Sequence, residues 1–426
     1  MDIAAPACLF QIPSHSFMKK PAHTAQTQFQ VKDACLQVGG IPLTRLAQRV
    51  GSTPFYAYDR TLLSRRVGQL RAILPQQMRI HYSIKANPMP ALVQHMAGLV
   101  DGFDVASAGE LKCALDSGMP AQHISFAGPG KTDAELAQAV AAEVLIHLES
   151  ETELERLDRI AMAIGLTPKV VVRVNPDFEL KSSGMKMSGG AKQFGVDAEI
   201  VPQFLRRIAA MTMDFYGFQI FCGSQNLQSA AIVEAESKTF QLAIELAQHA
   251  PRSVRLLNIG GGFGIPYFPG ELPLDLGPVA DNLQQWMPTL ESVLPGAHVA
   301  VESGRYLVGE AGIYVAKVID RKVSRGQIFL VTDGGMHHHL AASGNLGQVI
   351  RKNYPVAVGN KMSGGNLEIA SVVGPLCTPL DLLADKMELE KAEVGDLIVV
   401  FQSGAYGLTA SPMDFLSHTQ AVEVLV

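Results

Sequence analysis

Short apolar segments alternate with amphipathic ones through the first two thirds of the chain. After about residue 60, apolar runs typical of strands buried on both faces alternate with stretches of helical period such as Thr152–Ile160. Eight runs predict strands: Ile80–Ile84, Gly102–Ala106, Ile124–Ala127, Val144–Leu148, Val170–Val174, Tyr216–Phe221, Leu256–Ile259 and Val299–Glu302. Eight strand–helix units over about 240 residues match a TIM (β/α)8 barrel, which we prefer to a doubly wound sheet.

The pattern changes after about residue 312. Four segments there look like strands separated by turns rich in glycine and proline: Ile313–Val318, Ile328–Thr332, Leu367–Val373 and Asp396–Phe401. We therefore expect an α/β chain: a TIM (β/α)8 barrel over 61–311 plus a C-terminal antiparallel β domain. Residues 312–426 and the segment 28–60 should form that β-rich domain together. Residues 1–27 are expected to be a flexible or loosely docked tail.

Composition and charge narrow the class of protein. Hydrophobic residues make up 47% of the 426 residues and charged residues 18%, as in a well-buried globular protein. A net charge of -5 without a basic cluster argues against a nucleic-acid partner. No apolar run approaches the roughly 20 residues that span a bilayer, so no membrane association is expected. Asp2 before the apolar stretch Ala4–Ile12 is the wrong charge order for a signal peptide. Five scattered cysteines without a CxxC pair favour a reducing, cytoplasmic location.

Chemically capable side chains follow nearly every predicted barrel strand. The active sites of TIM barrels lie at the carboxyl ends of the strands. Seven of the eight strands end near such a group, and we expect these groups to share one rim: Lys85, Asp104, His147, Glu149, Arg173, Ser224, Gly260–Gly262, Glu302 and Arg305.

Three of these features point to one cofactor. Burial of Lys85 would lower its pKa and make the amine able to condense with an aldehyde, although a surface or ion-paired lysine is the alternative. The glycines 260–262 allow backbone N–H groups to approach a phosphate, with a simple tight turn as the alternative. Glu302 can hold a protonated pyridine nitrogen, unless it pairs with Arg305 or Arg173. Together they specify pyridoxal 5'-phosphate.

The chain also resembles a known family along most of its length. The motifs run in order: Tyr82–Asn87, Gly102–Ser107, Gly223–Gln225, Gly260–Phe263, Glu302–Arg305, Gly374–Cys377 and Gly404–Gly407. They are similar to those of the alanine-racemase-fold (fold type III) pyridoxal-phosphate-dependent decarboxylases, which include diaminopimelate and ornithine decarboxylases. The resemblance implies a homodimer with shared active sites.

The resemblance also implies a role for each matching residue. Lys85 would hold the cofactor as a Schiff base, Glu302 would face the pyridine nitrogen, and Phe221 would stack on the ring. Asp104 and Arg173 would orient the lysine and the ring. Cys377 would come from the partner subunit and protonate the carbanion, although a lone cysteine is more often a small buried hydrophobe. The phosphate would be held by Ser224, Gly261, Gly262, Gly304, Arg305 and Tyr406.

Three departures from the family pattern concern the substrate. Phe221 stands where a histidine is common. Thr378 follows Cys377, where diamino-acid decarboxylases have an acidic residue, although Asp381 lies three residues on. His337, His338 and His339 occur near the position of an Arg-Pro pair in diaminopimelate decarboxylases. Adjacent histidines do not have the spacing of a metal site, so no metal is expected. We take Thr378, Asp381 and His338 as candidate substrate contacts.

Residues 333–418 resemble one branch of the family more than the others. That branch contains exosortase-associated decarboxylases and the butirosin-pathway enzyme for glutamate carried on an acyl carrier protein. We expect a biosynthetic carboxy-lyase acting on an amino acid or a carrier-bound aminoacyl group. The alternatives are a diaminopimelate decarboxylase of lysine biosynthesis, an amino-acid racemase and a non-enzymatic regulator of the same fold. Racemases place arginine at the pyridine nitrogen, and regulators tend to lose the cofactor contacts that this chain keeps.

Overall fold

The computed structural model describes residues 22–179 and 185–426. Its strands in chain order are β1 Gln30–Lys32, β2 Cys35–Val38, β3 Ile41–Pro42, β4 Phe55–Tyr58, β5 Arg79–Ser83, β6 Gly102–Val105, β7 Ile124–Phe126, β8 Leu145–Leu148, β9 Lys169–Asn175, β10 Met185–Lys186, β11 Val196–Asp197, β12 Asp214–Ile220, β13 Gly223–Ser224, β14 Leu256–Asn258, β15 His298–Ser303, β16 Gly312–Ser324, β17 Gln327–Thr332, β18 Val356–Val358, β19 Leu367–Val373, β20 Leu382–Glu390, β21 Leu397–Val400 and β22 Val422–Leu425.

Helices fill most of the connections between the barrel strands. The α-helices are α1 Leu43–Val50, α2 Arg60–Ile73, α3 Pro90–Ala97, α4 Ala108–Asp116, α5 Asp133–Ala141, α6 Glu151–Ile164, α7 Val201–Ala209, α8 Ser229–Ala247, α9 Gly277–Val293 and α10 Arg305–Val308. Several begin at a side-chain cap, which satisfies N–H groups that the first turn leaves unpaired. Thr132 and Glu135 form a complete capping box on α5.

The barrel is closed and parallel, as the sequence predicts. β5, β6, β7, β8, β9, β12, β14 and β15 pair in that order, and β15 pairs back onto β5. All eight predicted strands are confirmed, with their ends within two residues of the predicted ones. The strands bury both faces because one faces the barrel interior and the other faces the helices. Val170, Val171 and Val172 on β9 are fully buried.

The second domain is a sheet built around the long strand β16. β16 pairs antiparallel with β17, β21 and β4, so its thirteen residues connect both halves of the sheet. The sheet is mostly antiparallel, but β17 runs parallel to β19 and β22 runs parallel to β4. The predicted β domain is thus confirmed, with two parallel pairings that the sequence did not predict. β4 comes from the segment ahead of the barrel.

Residues 22–27, expected to belong to a loose tail, are held by defined hydrogen bonds. Gly270 N donates to Ala22 O at 2.9 Å, and Thr24 Oγ1 donates to Glu271 O at 2.7 Å. His23 Nε2 lies 2.8 Å from Asn353 O. This segment therefore contacts both a barrel loop and the β domain. The rest of the expected tail, residues 1–21, lies outside the described residues.

The β domain covers the carboxyl end of β5. Tyr406 N donates to Ala86 O at 2.8 Å, and Asn87 Nδ2 donates to Gly404 O at 3.0 Å. Ser403 N donates to Gly312 O at 2.9 Å, which fixes the same loop to the start of β16. Loop 403–407 therefore lies beside the turn that contains Lys85. In the described part of the chain, no helix is long and apolar enough to cross a membrane.

Candidate active site

Lys85 lies in a 3₁₀ turn, Ile84–Ala86, directly after β5. The expectation of a buried lysine is wrong, because the Lys85 side chain is exposed while Ile84 and Ala86 on either side are buried. The strand ends at Ser83, and the turn directs the lysine out of the packed strand layer. Its Nζ lies 6.0 Å from the centroid of the Phe221 ring. The amine is thus accessible at the barrel mouth.

Two adjoining clefts open at this mouth and share Lys85, Phe221 and Glu302. The larger cleft has a volume of about 340 Å³ and the smaller about 40 Å³. The larger cleft is also lined by Asp104, Lys131, Arg173, Phe194 and Gln219. The smaller cleft is also lined by Ser83, Ser224, Gly262, Phe263, Ser303, Gly304, Arg305 and Tyr406. The two clefts bring most of the predicted cofactor residues together.

Close backbone packing shapes the smaller cleft. Gly260 and Gly262 have φ values of 67° and 100°, which favour glycine. A Cβ on Gly304 would lie 2.9 Å from the Ala86 Cβ. Gly261 does not line the cleft, because its backbone packs against the Glu302 carbonyl, where a Cβ would clash. A side chain at these glycine positions would fill or distort the smaller cleft, which we call the cradle.

Arg305 supplies an unpaired nitrogen beside this cradle. Its Nη1 donates to Tyr267 Oη at 3.3 Å, and its guanidinium carbon lies 4.7 Å from the Tyr406 ring centroid. The buried Nε has no hydrogen-bond partner among the described residues. A buried guanidinium N–H without an acceptor is costly, and a phosphate oxygen would satisfy it. The cleft, which Ser224 also lines, thus fits a phosphate group.

Glu302 is buried on β15, inside the barrel. Gln219 Nε2 donates to its Oε1, and Asn258 Nδ2 donates to the same oxygen at 2.6 Å. Burial, and then the nearby charge of Asp104, raise the pKa of Glu302 to about 7. None of the ion pairs in the described part of the chain includes Glu302, so the structure does not show the salt bridge considered as an alternative. A cationic ring nitrogen nearby would favour its ionised form.

The remaining charges of the larger cleft are held by partners. Arg173 Nη1 donates to Glu149 Oε1 at 2.9 Å, and Glu149 also accepts from Gly128 N at 2.6 Å. Burial opposes ionisation of Asp104, but the nearby His81, the hydrogen bond from Ser125 Oγ and the charge interaction with His147 together lower its pKa. The His81 Nδ1 atom lies 3.7 Å from Asp104 Oδ1.

Sequence reasoning missed two buried side chains of the larger cleft. Lys131 follows β7, the one strand to which no polar group was assigned, and its Nζ pairs with Glu153 Oε1 at 2.7 Å. Gln219 is a polar residue in the apolar strand β12. Side chains alternate between the two faces of a strand, and this alternation could have placed Gln219 in the barrel interior. Lys131 lies in a loop five residues past the end of β7, so the alternation of side chains along the strand gives no signal for it.

Cys377 lies elsewhere on the chain, on an exposed loop, and lines neither cleft. Asp381 holds the base of that loop, because its carboxylate accepts from Met336 N at 2.6 Å and from Leu376 N at 2.8 Å. Burial raises the pKa of Asp381. Thr378 O accepts from Asp381 N at 3.2 Å, so both candidate substrate residues take part in shaping the loop.

The three adjacent histidines are buried in the β domain. His338 Nε2 lies 2.8 Å from Thr419 O, and His339 Nε2 lies 2.9 Å from Ser403 Oγ. Burial lowers the pKa of His337 and of His339 to about 3. No three histidine, cysteine or acidic side chains are arranged to hold a metal ion in residues 22–179 and 185–426. His338, like Cys377, lines neither cleft of its own chain.

Comparison with known proteins decides the family. Residues 60–309 match the pyridoxal-binding domain of the pyridoxal-dependent decarboxylases. The chain belongs to this family. It is 36% identical over 389 residues to the L-glutamyl acyl-carrier-protein decarboxylase of Niallia circulans, covering 90% of each protein. It is 33% identical to a diaminopimelate decarboxylase of Aquifex aeolicus, covering 93% of this chain and 92% of that protein.

Solved structures agree with this assignment. The diaminopimelate decarboxylase of M. jannaschii, determined in complex with L-lysine, matches with a TM-score of 0.84 at 26% identity, covering 94% of this chain and 93% of that one. The fold is thus the alanine-racemase-like barrel with its β domain, as the sequence predicts. The chain is a pyridoxal-phosphate-dependent decarboxylase, and the regulator alternative is set aside.

The environment of Glu302 predicts a pH dependence of stability in the cofactor-free protein. Its pKa is raised from 4.5 to about 7, so the folded state retains a proton that the unfolded chain has already lost. This contribution to stability is full below about pH 4.5 and is lost as the pH rises towards 7. Glu302→Gln should remove that slope, measured as the difference in unfolding free energy between acidic and neutral pH.

Glu236 provides a matched control for this measurement. It is buried on α8, accepts a hydrogen bond from Asn282 Nδ2 at 3.0 Å, and burial raises its pKa to about 8. Glu236→Gln should remove a dependence of the unfolding free energy on pH that extends to about pH 8, higher than for Glu302. A Glu302→Gln protein with the same pH dependence as its parent would contradict the assignment of Glu302.

Proposed function

We propose that this decarboxylase acts on an amino acid whose far end is neutral, acylated or attached to a carrier protein, with a glutamyl thioester as the first candidate. The main support is the Cys377 loop. Thr378 stands there in place of the acidic residue of diamino-acid decarboxylases, and the nearby Asp381 carboxylate already accepts from two backbone N–H groups. An unpaired distal ammonium would be costly to bury there. The name and 36% identity of the Niallia circulans relative support the same choice.

A diaminopimelate decarboxylase remains the second candidate. The similarity to the Aquifex aeolicus enzyme, at 33% identity, favours it. Against it, no arginine occurs in residues 334–345, where one would bind a second carboxylate. His338 in that segment is buried and hydrogen-bonded to Thr419 O.

Different residues of the site would bind different parts of the cofactor. Pyridoxal phosphate, when bound, supplies a ring that withdraws electrons from the substrate α-carbon. The Lys85 amine would hold the cofactor aldehyde, and Phe221 would cover one face of the ring. Glu302 would hold the proton on the ring nitrogen. The cradle of Ser224, Gly262, Gly304, Arg305 and Tyr406 would bind the phosphate, and Gly261 would support the cradle from behind.

Asp104 and Arg173 would orient the cofactor and the lysine. Asp104 lines the larger cleft together with Lys85, and its pKa is lowered chiefly through His81, so it is a carboxylate at neutral pH. Arg173 is fixed by Glu149 and by the face of Phe194, whose ring centroid lies 4.9 Å from the guanidinium carbon. Both charged groups line the larger cleft, where they would contact the cofactor or the substrate.

The active unit would be a homodimer in which Cys377 of one chain reaches the cleft of the other. Cys377 is exposed and lines neither cleft of its own chain. Asn345 Nδ2 donates to Leu380 O at 3.2 Å, which joins the loop to a neighbouring segment with exposed apolar side chains. Those side chains are Leu346, Val349, Ile350 and Leu380. Exposed apolar residues beside a reactive loop favour an interface. There the thiol would donate a proton to the α-carbon.

Borohydride reduction should locate the cofactor. In protein loaded with pyridoxal phosphate, the tag should be found on Lys85 by peptide mapping, because this exposed amine lies in both clefts. Lys131 lines the larger cleft too, but its ion pair with Glu153 should leave it untagged. Lys85→Ala should remove the tag. A tag on any other lysine would overturn the assignment.

Mixing two inactive variants should test the shared site. An equal mixture of Lys85→Ala and Cys377→Ala chains should regain up to about a quarter of the parent activity after subunit exchange. About half of the dimers are then mixed, and one of the two sites in each mixed dimer receives both intact residues. Each variant should be inactive when incubated alone. If subunit exchange is demonstrated and activity does not return, both residues act within one chain.

Substrate preference should follow the missing distal charge. We expect kcat/KM for a glutamyl carrier-protein thioester to exceed that for free diaminopimelate, lysine or ornithine by about 100-fold, equivalent to roughly 3 kcal/mol. Thr378→Asp should move the preference towards the diamino acids, while Thr378→Ser serves as the matched control. A clear advantage for meso-diaminopimelate in the parent enzyme would establish the second candidate instead.

A further inference from the structure

Three buried side chains form a hydrogen-bonded row across the barrel interior. His147 lies on β8, Gln219 on β12 and Glu302 on β15. The His147 Nδ1 atom is 2.7 Å from Gln219 Oε1, and Gln219 Nε2 donates to Glu302 Oε1. All three are almost inaccessible to solvent, with exposed fractions of 0%, 2% and 7%. These contacts are therefore largely shielded from bulk water.

The chemistry of the groups fixes the direction of each hydrogen bond. Oε1 of Glu302 only accepts, whether the group is ionised or carries its proton on Oε2, so the amide nitrogen of Gln219 faces Glu302 and its oxygen faces His147. His147 then donates from Nδ1. Burial lowers the pKa of His147 to about 4, so the ring is neutral and carries its single proton on that nitrogen. Its buried Nε2 has no partner among the described residues, as expected for the nitrogen without a proton.

A second amide completes the arrangement around one carboxylate oxygen. Asn258 Nδ2 donates to Glu302 Oε1 at 2.6 Å, and Asn258 Oδ1 accepts from Gly260 N at 2.9 Å. Both amides thus converge on Oε1, and no described side chain donates to Oε2. Because Glu302 lines both clefts, the second oxygen is available to a group bound there.

The charges around Glu302 determine how strongly the Gln219 hydrogen bond affects its ionisation. Burial and Asp104 oppose its ionisation, whereas Lys85, Arg173 and the Gln219 hydrogen bond favour it. His147 and His81 lie behind these groups and both interact with Asp104. Loss of the Gln219 hydrogen bond removes one of the interactions that favour the ionised form, so it should shift Glu302 towards its protonated form.

We propose that Gln219, oriented by His147, is a positioning residue that keeps Glu302 ionised and turns its free oxygen towards the pyridine nitrogen. This inference rests on the role of Glu302 proposed above. Gln219 acts through Glu302, so its loss should alter the protonation of the ring without removing the phosphate cradle or the Lys85 amine.

The test compares the parent holoenzyme with Gln219→Met, which keeps the length of the side chain but loses both hydrogen bonds. Pyridoxal phosphate labelled with ¹⁵N in the ring reports the protonation of that nitrogen directly by its NMR shift. We expect a protonated nitrogen in the parent and an unprotonated one in Gln219→Met at neutral pH. The kcat value should fall roughly 10- to 100-fold, the size of a hydrogen bond to a charged group, with little change in KM.

A buried glutamine outside the site provides the matched control. Gln37 is also almost inaccessible, and its Nε2 donates to Cys35 O at 3.1 Å in the small N-terminal sheet. Gln37→Met should leave the ¹⁵N shift and kcat at their parent values. If the nitrogen stays protonated in Gln219→Met, the proposed role of Gln219 is overturned even though Glu302 keeps its own.

Two His147 variants test its part in the row. Asparagine can place an amide N–H near the position of the imidazole Nδ1, whereas phenylalanine cannot, so His147→Asn should keep the parent shift and His147→Phe should lose it. His147→Phe combined with Gln219→Met should be no worse than Gln219→Met alone, because both changes remove one linkage. Additive losses would overturn the linkage.

A measurement on the cofactor-free protein separates this inference from the proposed function. Carboxylate infrared bands, with Glu302→Gln subtracted, follow the titration of Glu302 itself. Gln219→Met should shift its midpoint to higher pH. An unshifted midpoint overturns the positioning role. If Gln219→Met shifts the midpoint but the parent protein binds no pyridoxal phosphate, the proposed role of Glu302 is overturned instead.

Discussion

The burial of one carboxylate, Glu302, inside a closed barrel is the constraint on which the site depends. A buried charge needs compensation from hydrogen bonds or an opposite charge. Here β12 and β14 supply one amide each, Gln219 and Asn258, and both donate to the same oxygen. Because both amides donate to Oε1, that oxygen has its hydrogen bonds, whereas Oε2 receives none from the described side chains. In the proposed role of Glu302, this second oxygen would be the one that contacts the protonated ring nitrogen.

The glycine segments serve the same arrangement from the backbone. The Gly261 backbone packs against the Glu302 carbonyl, and Gly304 packs against the turn that carries Lys85. These contacts set the spacing between β14, β15 and the Lys85 turn without side chains in between. Arg305 then extends from the start of α10 into the smaller cleft. The two clefts therefore share their central residues, and a phosphate-bearing ligand that occupied both would be held by its phosphate in the smaller one.

Much of this could be predicted from the sequence, because barrel strands are short apolar runs and their chemistry follows at a fixed end. Lys85, Asp104, Arg173, Glu302 and Arg305 could be assigned to one rim on that basis, and the glycines by their unusual density. The exposure of Lys85 could not, since it depends on a 3₁₀ turn that begins after Ser83. Strand alternation could have identified Gln219, but not its partners on β8 and β15. Lys131 was missed because it lies in a loop and its place depends on Glu153 of α6. The hydrogen bonds of residues 22–27 likewise involve groups more than two hundred positions away.

The carboxylate of Asp381 has a consequence for assembly. By accepting from Met336 N and Leu376 N, it gives the Cys377 loop a defined shape within a single chain. A loop that is already ordered loses little conformational entropy when two chains associate, so more of the contact energy remains available for affinity. The proton donor would then enter the opposite cleft in a set orientation. Under this arrangement an isolated chain is incomplete rather than misfolded, and protein concentration itself would determine how many working sites exist.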